Sequence, residues 1–374
     1  MDGVGINSKC KRIGACRQTS AWSTLTAATM SIYRIAEIAG LSPSSVSLAL
    51  RNSPKISAAT KERVRQIAAA EDYRPDARLN ELMARMRLTR QARSQACLAV
   101  VSLYDKAKPW TGSAHHTFIY EGMANRAREL GYRLEPMWLR APGMTPRRFR
   151  GILEARGIEG MLCFGSPRVD DEFPTELGSF AIVSQGMSIR TPLHRVTGHF
   201  FNDVLQALGR LHRMGYRRPG LVISRYEDER SSHAYTGAYL AWCESQEPKP
   251  DFLPVLRMDR VADEPLSAWL QEHRPDVMLV VHDHASLGEL SGFFRRQRIR
   301  VPRDLGVAVI SQILEGSDFS GMRENQALIG RWAVELLVMR ITNRDFGLPA
   351  SPRVEMVESV WVKGKTLRRQ SGIV

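Results

Sequence analysis

The stretch SIYRIAEIAGLSPSSVSLALRN, residues 31–52, decides the fold of the first part of the chain. Its pattern predicts two short helices joined by a tight turn, with Ala36, Gly40 and Val46 at the positions that such a pair constrains most. A small residue lets the helices touch, glycine takes the turn, and a branched apolar residue fixes the second helix against the first. This pattern is typical of a helix-turn-helix, and an ordinary pair of surface helices is the alternative interpretation.

The second helix of this pair has its own start signal, because Ser42 can cap it and Pro43 suits the first helical position. Its outward side chains are those that a recognition helix would present to the major groove of DNA. Base contacts are expected from Pro43, Ser44, Ser47 and Leu48, and phosphate contacts from Ser42, Arg51 and Lys55. Serine hydroxyls fit several bases, whereas Leu48 can lie against a thymine methyl group.

The residues that follow extend the pattern. Ser57 can cap a third helix, SAATKERVRQIAAAEDY, and Tyr73-Arg-Pro75 then precedes a further helical segment, ARLNELMARMRL. In this order the residues resemble the DNA-binding headpiece of the lactose-repressor (LacI/GalR) family of bacterial regulators. The matching positions are Ile32, Tyr33, Ile35, Ala36, Ala39, Gly40, Ser42, Ser45, Val46, Ser47, Asn52, Ser57, Thr60, Arg63, Val64, Tyr73 and Pro75.

The resemblance implies that the segment after Pro75 is a hinge helix that becomes ordered on the operator. Leu82 matches the family's leucine that wedges into the minor groove, where contacts allowed by the bend offset the cost of unstacking. An apolar helical stripe that packs against a partner helix is the alternative, and the two interpretations are compatible in a dimer. The linker after Leu82 is about two helical turns longer than usual, so the hinge is expected to reach about Arg87.

The charge of the chain points to an anionic partner. The net charge is +14, and residues 30–95 hold twelve Lys or Arg against six Asp or Glu, so the positive charge is densest in the predicted headpiece and linker. Neutralising DNA phosphates requires such a distribution, although a solvated basic face is the alternative. A hydrophobic content of 43% over 374 residues allows two or three domains with buried cores.

The five cysteines are scattered, odd in number and without metal-ligand spacing, which suits a reducing cytoplasm. No apolar run approaches the roughly 18 to 20 residues that span a bilayer. Residues 1–29 begin with basic side chains but are then too rich in Ser and Thr for a secretory signal. They are expected to be disordered, or to be an over-extended reading frame whose true start is Met30.

From Cys97 onward, apolar strands alternate with helical patterns, beginning with CLAVVSLY and FIYEGMANRARELGY. Such alternation predicts parallel sheets covered by helices on both faces, and its two series predict two doubly wound lobes. This half resembles the periplasmic-binding-protein-like core of the same family, in which the chain crosses between the lobes three times. The predicted first lobe comprises residues 97–191 and 318–343, and the second comprises residues 196–312 and 352–362.

A cleft between two such lobes binds a small ligand at the carboxyl ends of the strands. By resemblance, Asp283 matches an acidic residue that family members aim at a ligand hydroxyl or amine, with capping of the next helix as the alternative. Alanine replaces the family's ligand-gripping arginine, and the nearest arginine is Arg230. His115, His116 and Trp110 complete the expected effector site, where Trp110 can either stack on a sugar ring or simply pack.

Enzymatic motifs are missing from the sequence, which has no Gly-x-Ser-x-Gly elbow, Walker loop, Gly-x-Gly-x-x-Gly or His-Glu-x-x-His. His282 and His284 flank Asp283, but neighbours on an extended strand point to opposite faces, so no metal site is predicted. No cofactor is expected. An exported solute-binding protein would share the core and is the alternative class, which the headpiece and the lack of a secretory signal disfavour.

The sequence thus predicts an all-α helix-turn-helix headpiece (30–75), a hinge helix and linker (76–96), an α/β two-lobed core with parallel sheets (97–365) and a tail (366–374). The expected function is that of a non-enzymatic, cytoplasmic, homodimeric transcription regulator, by family default a repressor. Paired headpieces would bind pseudo-palindromic double-stranded operator DNA. A small effector, a sugar or sugar derivative, would change the operator affinity. No membrane association is expected.

Overall fold

In a computed structural model of the chain, the described residues are 32–50, 52–53, 56–71, 73, 96–247, 253–311, 313 and 316–370. The chain forms two compact units, residues 1–87 and residues 88–374. The described part of the first unit is helical, and the second unit contains two sheets with helices on both faces.

The described part of the first unit contains three short helices, which are α1 (residues 32–39), α2 (Pro43–Leu50) and α3 (Ala58–Ala70). In the turn after α1, Gly40 has a φ of +63°, and the amide of Leu41 donates to the carbonyl of Ala36 at 2.9 Å. A side chain at this φ is strained, so the turn needs the glycine that the pattern predicted there.

The small core of this unit consists of apolar residues that all three helices turn inward. They are Ile35, Ala36, Ala39, Val46, Ala49, Val64 and Ala68. The guanidinium of Arg63 donates to the carbonyl of Ala39 and so joins α3 to the end of α1. Oγ of Ser57 caps α3 by accepting from the amide of Thr60 at 3.2 Å. The predicted helix-turn-helix is therefore confirmed, with Ala36 and Val46 at its helix contact.

The first sheet of the second unit is parallel throughout. Its strands are β1 (Ala96–Ser102), β2 (Tyr132–Trp138), β3 (Gly160–Cys163), β4 (Ala181–Gln185), β5 (His194–Gly198) and β11 (Val354–Val357). They lie in the order β11-β5-β4-β3-β1-β2.

The second sheet has one antiparallel edge strand. Its strands are β6 (Pro219–Ile223), β7 (Leu256–Arg257), β8 (Val277–Val281), β9 (Gly306–Ser311), β10 (Ser320–Arg323) and β12 (Val360–Val362). They lie in the order β12-β10-β9-β8-β6-β7, and β12 runs antiparallel to β10.

Helices cover both faces of each sheet. They are α4 (Ala114–Glu129), α5 (Pro146–Ala155), α6 (Phe200–Arg213), α7 (Arg225–Arg230), α8 (Ala234–Ser245), α9 (Asp263–His273), α10 (His284–Arg296) and α11 (Gln326–Asn343), with short 3-10 helices at Pro109–Gly112 and Thr175–Leu177. Helices α4 and α11 pack on one face of the first sheet and α5 on the other, while α6 and α8 oppose α9 and α10 on the second. Central strands are buried on both faces, which is why they read as apolar runs such as VMLVV.

The chain crosses between the sheets three times, at residues 199, 324–325 and 358–359. The number of crossings agrees with the sequence expectation, but three of the predicted lobe limits are wrong. Strand β5 belongs entirely to the first sheet, and β10 belongs to the second. The predicted late strand at 352–362 is divided, because β11 pairs with β5 and β12 pairs with β10. The sequence of a short apolar strand does not show which sheet it joins, because its pairing depends on residues that are distant in sequence.

Two glycines let helices α4 and α11 approach at backbone contact. A Cβ at Gly122 would collide with the carbonyl oxygen of Ala327, and a Cβ at Gly330 would collide with that of Ile119. The two helices therefore cross with main chain against main chain, and they hold the first lobe together as one packed layer.

Gly122→Ala should lower the free energy of unfolding by roughly 1–3 kcal/mol, because the added methyl forces the helices apart. Gly209→Ala in α6 is the matched control, since its Cβ would meet no atom within 4 Å. It should gain about 0.5–1 kcal/mol from the lower backbone entropy of the unfolded chain. Urea unfolding followed by tryptophan fluorescence measures both, and equal effects would contradict the close crossing.

Candidate functional site

Helix α2 presents a polar face that the small core does not use. Its buried residues are Val46 and Ala49. Of the residues predicted to contact bases, Ser44 is exposed, while Pro43, Ser47 and Leu48 are half-buried. All four thus lie at the surface, where the pattern predicted them, and they can reach a groove edge without unfolding the helix.

The predicted phosphate contacts are only partly described. Ser42 is exposed, and its Oγ accepts from the amide of Ser45 at 3.2 Å, so the hydroxyl also caps α2. Arg51, Lys55 and the hinge residue Leu82 lie outside the described residues. On α1, Tyr33 is 60% exposed. Tyr33 matches the family pattern in sequence, but no DNA contact was predicted for it.

The second unit contains a cleft of about 420 Å³ between the carboxyl ends of its two sheets. Loops after β1, β3 and β4 line it from the first lobe, together with the start of α4. The ends of β6 and β8 and helix α7 line it from the second. Its polar side chains are Tyr104, Ser113, His115, His116, Gln185, Ser188, Ser224, Tyr226, Glu227, Arg230, Asp259, His282 and Asp283. Crevices at this edge of parallel sheets are the usual ligand sites of such folds.

Four of the five predicted effector residues line this cleft: His115, His116, Arg230 and Asp283. Trp110 does not. It is buried, its ring stacks on Tyr120 with centroids 4.2 Å apart and planes 4° apart, and it packs against Phe164. The effector role of Trp110 is therefore corrected, and its packing alternative describes it. The 3-10 helix that carries Trp110 turns the indole into the first-lobe core rather than toward the cleft.

Asp283 serves the alternative role, which is to cap the next helix. Its Oδ1 accepts from the amide of Ser286 at 2.9 Å and so caps α10, while the residue remains exposed at the cleft. The capping interpretation thus describes this aspartate, and its contact with an effector stays a prediction.

Arg230 is the basic side chain at the floor of the cleft, and it is already paired. Its Nε lies 2.6 Å from Oε2 of Glu227, and a terminal nitrogen lies 2.5 Å from the same oxygen. Burial is the largest single effect and opposes its charge, but Glu227, Tyr235 and Tyr226 together raise the pKa of Arg230 above its ordinary value. Its guanidinium also lies 5.3 Å from the centroid of the Phe200 ring. Sequence reasoning missed Glu227, although its spacing of three residues from Arg230 on one helix was a readable signal.

The histidines of the cleft are neutral. Burial lowers the pKa of His116 to about 4, and burial, with His116 and Arg230 adding to it, lowers that of His115 well below 6.5. Burial also lowers the pKa of His282, whose Nε2 is buried and finds no hydrogen-bond partner among the described residues. Neutral imidazoles each offer one donor and one acceptor, which suits hydroxyl groups.

Glu324, in the second crossing, is a buried carboxyl that the sequence did not reveal. Burial raises its pKa to about 8, against the opposing effect of Arg230. Its Oε2 lies 3.5 Å from Nδ1 of His115. This is a contact between neutral groups rather than a salt bridge, since the acid holds its proton and the imidazole does not. Gly198 leaves room for the carboxyl, because a Cβ there would collide with Oε1.

Tyr226 makes a hydrogen bond across the cleft. The hydroxyl of Tyr226, on α7 of the second lobe, donates to the carbonyl of Ser166 in the first lobe at 2.7 Å. Tyr104 offers a contrast within the first lobe, since its hydroxyl lies 3.4 Å from Nε2 of His116. Neither tyrosine has a recognisable signal in the sequence.

A helical unit with a surface-exposed recognition helix, followed by two lobes around a polar cleft, defines a DNA-binding regulator with an effector core. The chain matches the family model for bacterial regulatory proteins of the lacI family over residues 31–76. It also matches the model for the periplasmic binding protein-like domain over residues 208–366. The chain belongs to the LacI family of bacterial transcription regulators.

Solved structures share its fold. The complex of the transcriptional regulator CelR with cellobiose is 21% identical, covering 90% of this chain and 99% of that one, with a TM-score of 0.55. The Lac repressor dimer bound to operator and the anti-inducer ONPF is 17% identical, covering 90% and 98%, with a TM-score of 0.52. The trehalose repressor from Escherichia coli is 17% identical, covering 72% and 100%, with a TM-score of 0.53. No curated protein matches the chain.

Two negative findings apply to the described residues alone. None of their helices is both long and apolar enough to cross a membrane. Their His, Cys, Asp and Glu side chains form no cluster able to hold a metal ion.

Two buried groups should give stability an opposite dependence on pH. The pKa of Glu324 is raised to about 8, so the folded state holds a proton that the unfolded state releases near pH 4.5, and stability falls as pH rises through this window. The pKa of His116 is lowered to about 4, so stability falls as pH drops from about 6.5 toward 4.

Glu324→Gln should remove the loss of stability between about pH 4.5 and 8, an effect of a few kcal/mol at most. Glu335→Gln, a half-exposed carboxyl of α11, should keep the wild-type slope. The free energy of unfolding in urea at stepped pH values measures the difference. A Glu324→Gln slope equal to that of wild type would contradict the buried neutral acid.

Proposed function

We propose that this LacI-family regulator is a cytoplasmic homodimer that represses transcription, and that a neutral, hydroxyl-rich ligand in its cleft controls its affinity for operator DNA. The observation that carries the proposal is the presence, in one chain, of an unused polar face on α2 and a polar cleft between two lobes. The first fits a DNA groove, and the second fits a small effector.

The DNA contacts follow from the exposure of α2. Pro43, Ser44, Ser47 and Leu48 would meet base edges, and Ser42 would meet phosphate with Arg51 and Lys55. Leu82 would wedge into the minor groove. For Arg51, Lys55 and Leu82 the support is the sequence alone. Two headpieces on successive major grooves would require a pseudo-palindromic site.

The chemistry of the cleft supports an uncharged effector. The guanidinium of Arg230 is occupied by Glu227, and the three histidines are neutral, so among the described lining residues the floor of the cleft offers no unpaired positive charge to a phosphate or carboxylate. Asp283 and Asp259 stand exposed at the opening and would repel an anion. Neutral histidines, tyrosine hydroxyls and Gln185 match a polyhydroxylated ligand such as a sugar. The bound cellobiose of CelR, a protein of the same fold, is in keeping with this class.

The alternative classes are less well supported. A solute-binding protein would share the core, but the family match over residues 31–76 favours a DNA-binding role. Enzymatic activity has no support from the motifs of the sequence, and the family is one of regulators.

Effector control would act through lobe closure. A ligand that binds the closed form more tightly shifts the equilibrium between open and closed forms by the difference in binding free energy. Coupling of this kind is typically about 1–3 kcal/mol between two sites.

Leu48→Arg should change the preferred operator rather than its strength alone. Arginine grips guanine through O6 and N7, and leucine does not, so one base pair of each half-site should change to G·C with a discrimination of about 1–3 kcal/mol, or roughly 5- to 150-fold. Selection of binding sites from random DNA by the purified full-length protein measures the preference.

Gln66→Arg is the control, since it adds the same charge on an exposed position of α3. It should leave the selected sequence unchanged. If Leu48→Arg selects the wild-type sequence, α2 does not read the bases at this position.

Tyr226→Phe should shift the core toward an open form, because it removes the hydrogen bond to Ser166 across the cleft. A net loss of about 0.5–1.5 kcal/mol changes the ratio of closed to open forms roughly two- to tenfold. Tyr104→Phe removes a hydroxyl contact within one lobe and should leave the ratio unchanged. Small-angle X-ray scattering measures the radius of gyration, and equal values for the two variants would contradict the closing role of Tyr226.

A further inference from the structure

His115 occupies the boundary between the cleft and the second crossing. It is the second residue of α4, and its ring lines the cleft. Its Nδ1 is directed at two residues that are not among the lining residues of the cleft, with Nε2 of Gln326 at 3.4 Å and Oε2 of Glu324 at 3.5 Å. Nε2 is therefore the ring nitrogen of His115 that remains for a ligand.

A neutral imidazole carries its proton on one nitrogen only, so the partner of Nδ1 decides what Nε2 can do. The amide nitrogen of Gln326 can only donate, which makes Nδ1 an acceptor and places the proton on Nε2. A protonated Glu324 has the same effect, because its hydroxyl can donate to Nδ1. An ionised Glu324 can only accept, and it would draw the proton to Nδ1.

The groups around Glu324 come from every element packed against it. Arg230 and Glu227 approach from α7, Asp203 from α6, His115 from α4 and Tyr235 from α8. Oε2 of Glu324 makes no hydrogen bond within the described part of the chain, and the hydroxyl of Tyr235 is likewise buried without one. Among these groups Glu324 is the one whose contact with Nδ1 of His115 changes from donor to acceptor on ionisation.

We propose that Glu324 and Gln326 are positioning residues that set the tautomer of His115, so that Nε2 donates a hydrogen bond to the ligand while Glu324 is protonated and accepts one when Glu324 is ionised. The inference deepens the proposed function, since it rests on the cleft being the effector site. Its consequence is a chemical rule for the ligand. At neutral pH the group facing His115 must offer a lone pair, as a hydroxyl, ether or carbonyl oxygen does.

The raised pKa of Glu324, about 8, supports the neutral-pH half of the rule. The same value places the expected change of tautomer in a pH range that can be reached in solution. Ionisation above this value should transfer the imidazole proton from Nε2 to Nδ1 with no change in the charge of His115.

Nitrogen NMR of the full-length protein, labelled with ¹⁵N only in its histidines, tests the proposal without any ligand or DNA. Protonated and unprotonated ring nitrogens give well-separated signals, and His115→Gln identifies the pair that belongs to His115. Wild type should show a protonated Nε2 near neutral pH and a protonated Nδ1 well above pH 8. A protonated Nδ1 near neutral pH, or the same tautomer at both pH values, would overturn the proposal.

Two variants separate the switch from a general effect of pH on the core. Glu324→Gln keeps a group of the same shape that can donate, so it should hold the proton on Nε2 of His115 at every pH. Glu358→Gln changes a crossing carboxylate that binds His199 and does not touch His115, so the switch should persist. Exchange of tautomers in Glu324→Gln at the wild-type pH would also refute the assignment.

The wild-type titration decides the question by itself if Glu324→Gln does not fold. The measurement also keeps the two proposals apart. A normal switch in a protein that binds no sugar would sustain the tautomer assignment and count against the proposed effector class. If the protein binds sugar but the tautomer of His115 does not change with pH, the tautomer assignment is refuted and the proposed effector class stands.

Discussion

The structure depends on one constraint, which is that two lobes must share three polar crossing segments, in which Glu324 and Ser359 are buried and Glu358 is exposed. Glu358, in the third crossing, accepts from Nδ1 of His199 at 2.8 Å and from the amide of Asn202 at 2.7 Å. Ser359 donates to Asp203 at 2.7 Å, although burial raises the pKa of that acid to about 6. Buried polar groups must find such partners, so relative movement of the lobes is limited to arrangements in which these bonds are kept or exchanged.

The cleft, too, pairs or neutralises its buried charged groups. The floor holds the ion pair of Arg230 and Glu227, and Glu324 lies behind His115 with its proton kept, so the site stays close to neutral. Selectivity then comes from the direction of hydrogen bonds rather than from net charge. This arrangement differs from a phosphate site, where free guanidinium groups supply the binding energy.

Much of this architecture was readable from local pattern, and the exceptions have physical causes. The pattern around Gly40 determined the first unit because sterics fix each of its positions. Cleft residues on strand ends were found where a strand is followed by a helix start, as at Asp283. Glu324 and Tyr226 were missed because their roles depend on partners more than 50 residues away in sequence. Trp110 was misplaced because an aromatic side chain beside a cleft and one beneath it have the same sequence signal.

Gly122 and Gly330 allow helices α4 and α11 to pack with their backbones in contact. This contact joins α4, which carries His115, to α11, which begins with Gln326, so these two side chains stand on helices that are packed backbone against backbone. Glu324 stands only two residues earlier, yet it leads back to the other sheet. A rotation of the second lobe would therefore alter the distance from Glu324 to Nδ1 of His115, now 3.5 Å, before it altered the distance from Gln326 to the same nitrogen, now 3.4 Å.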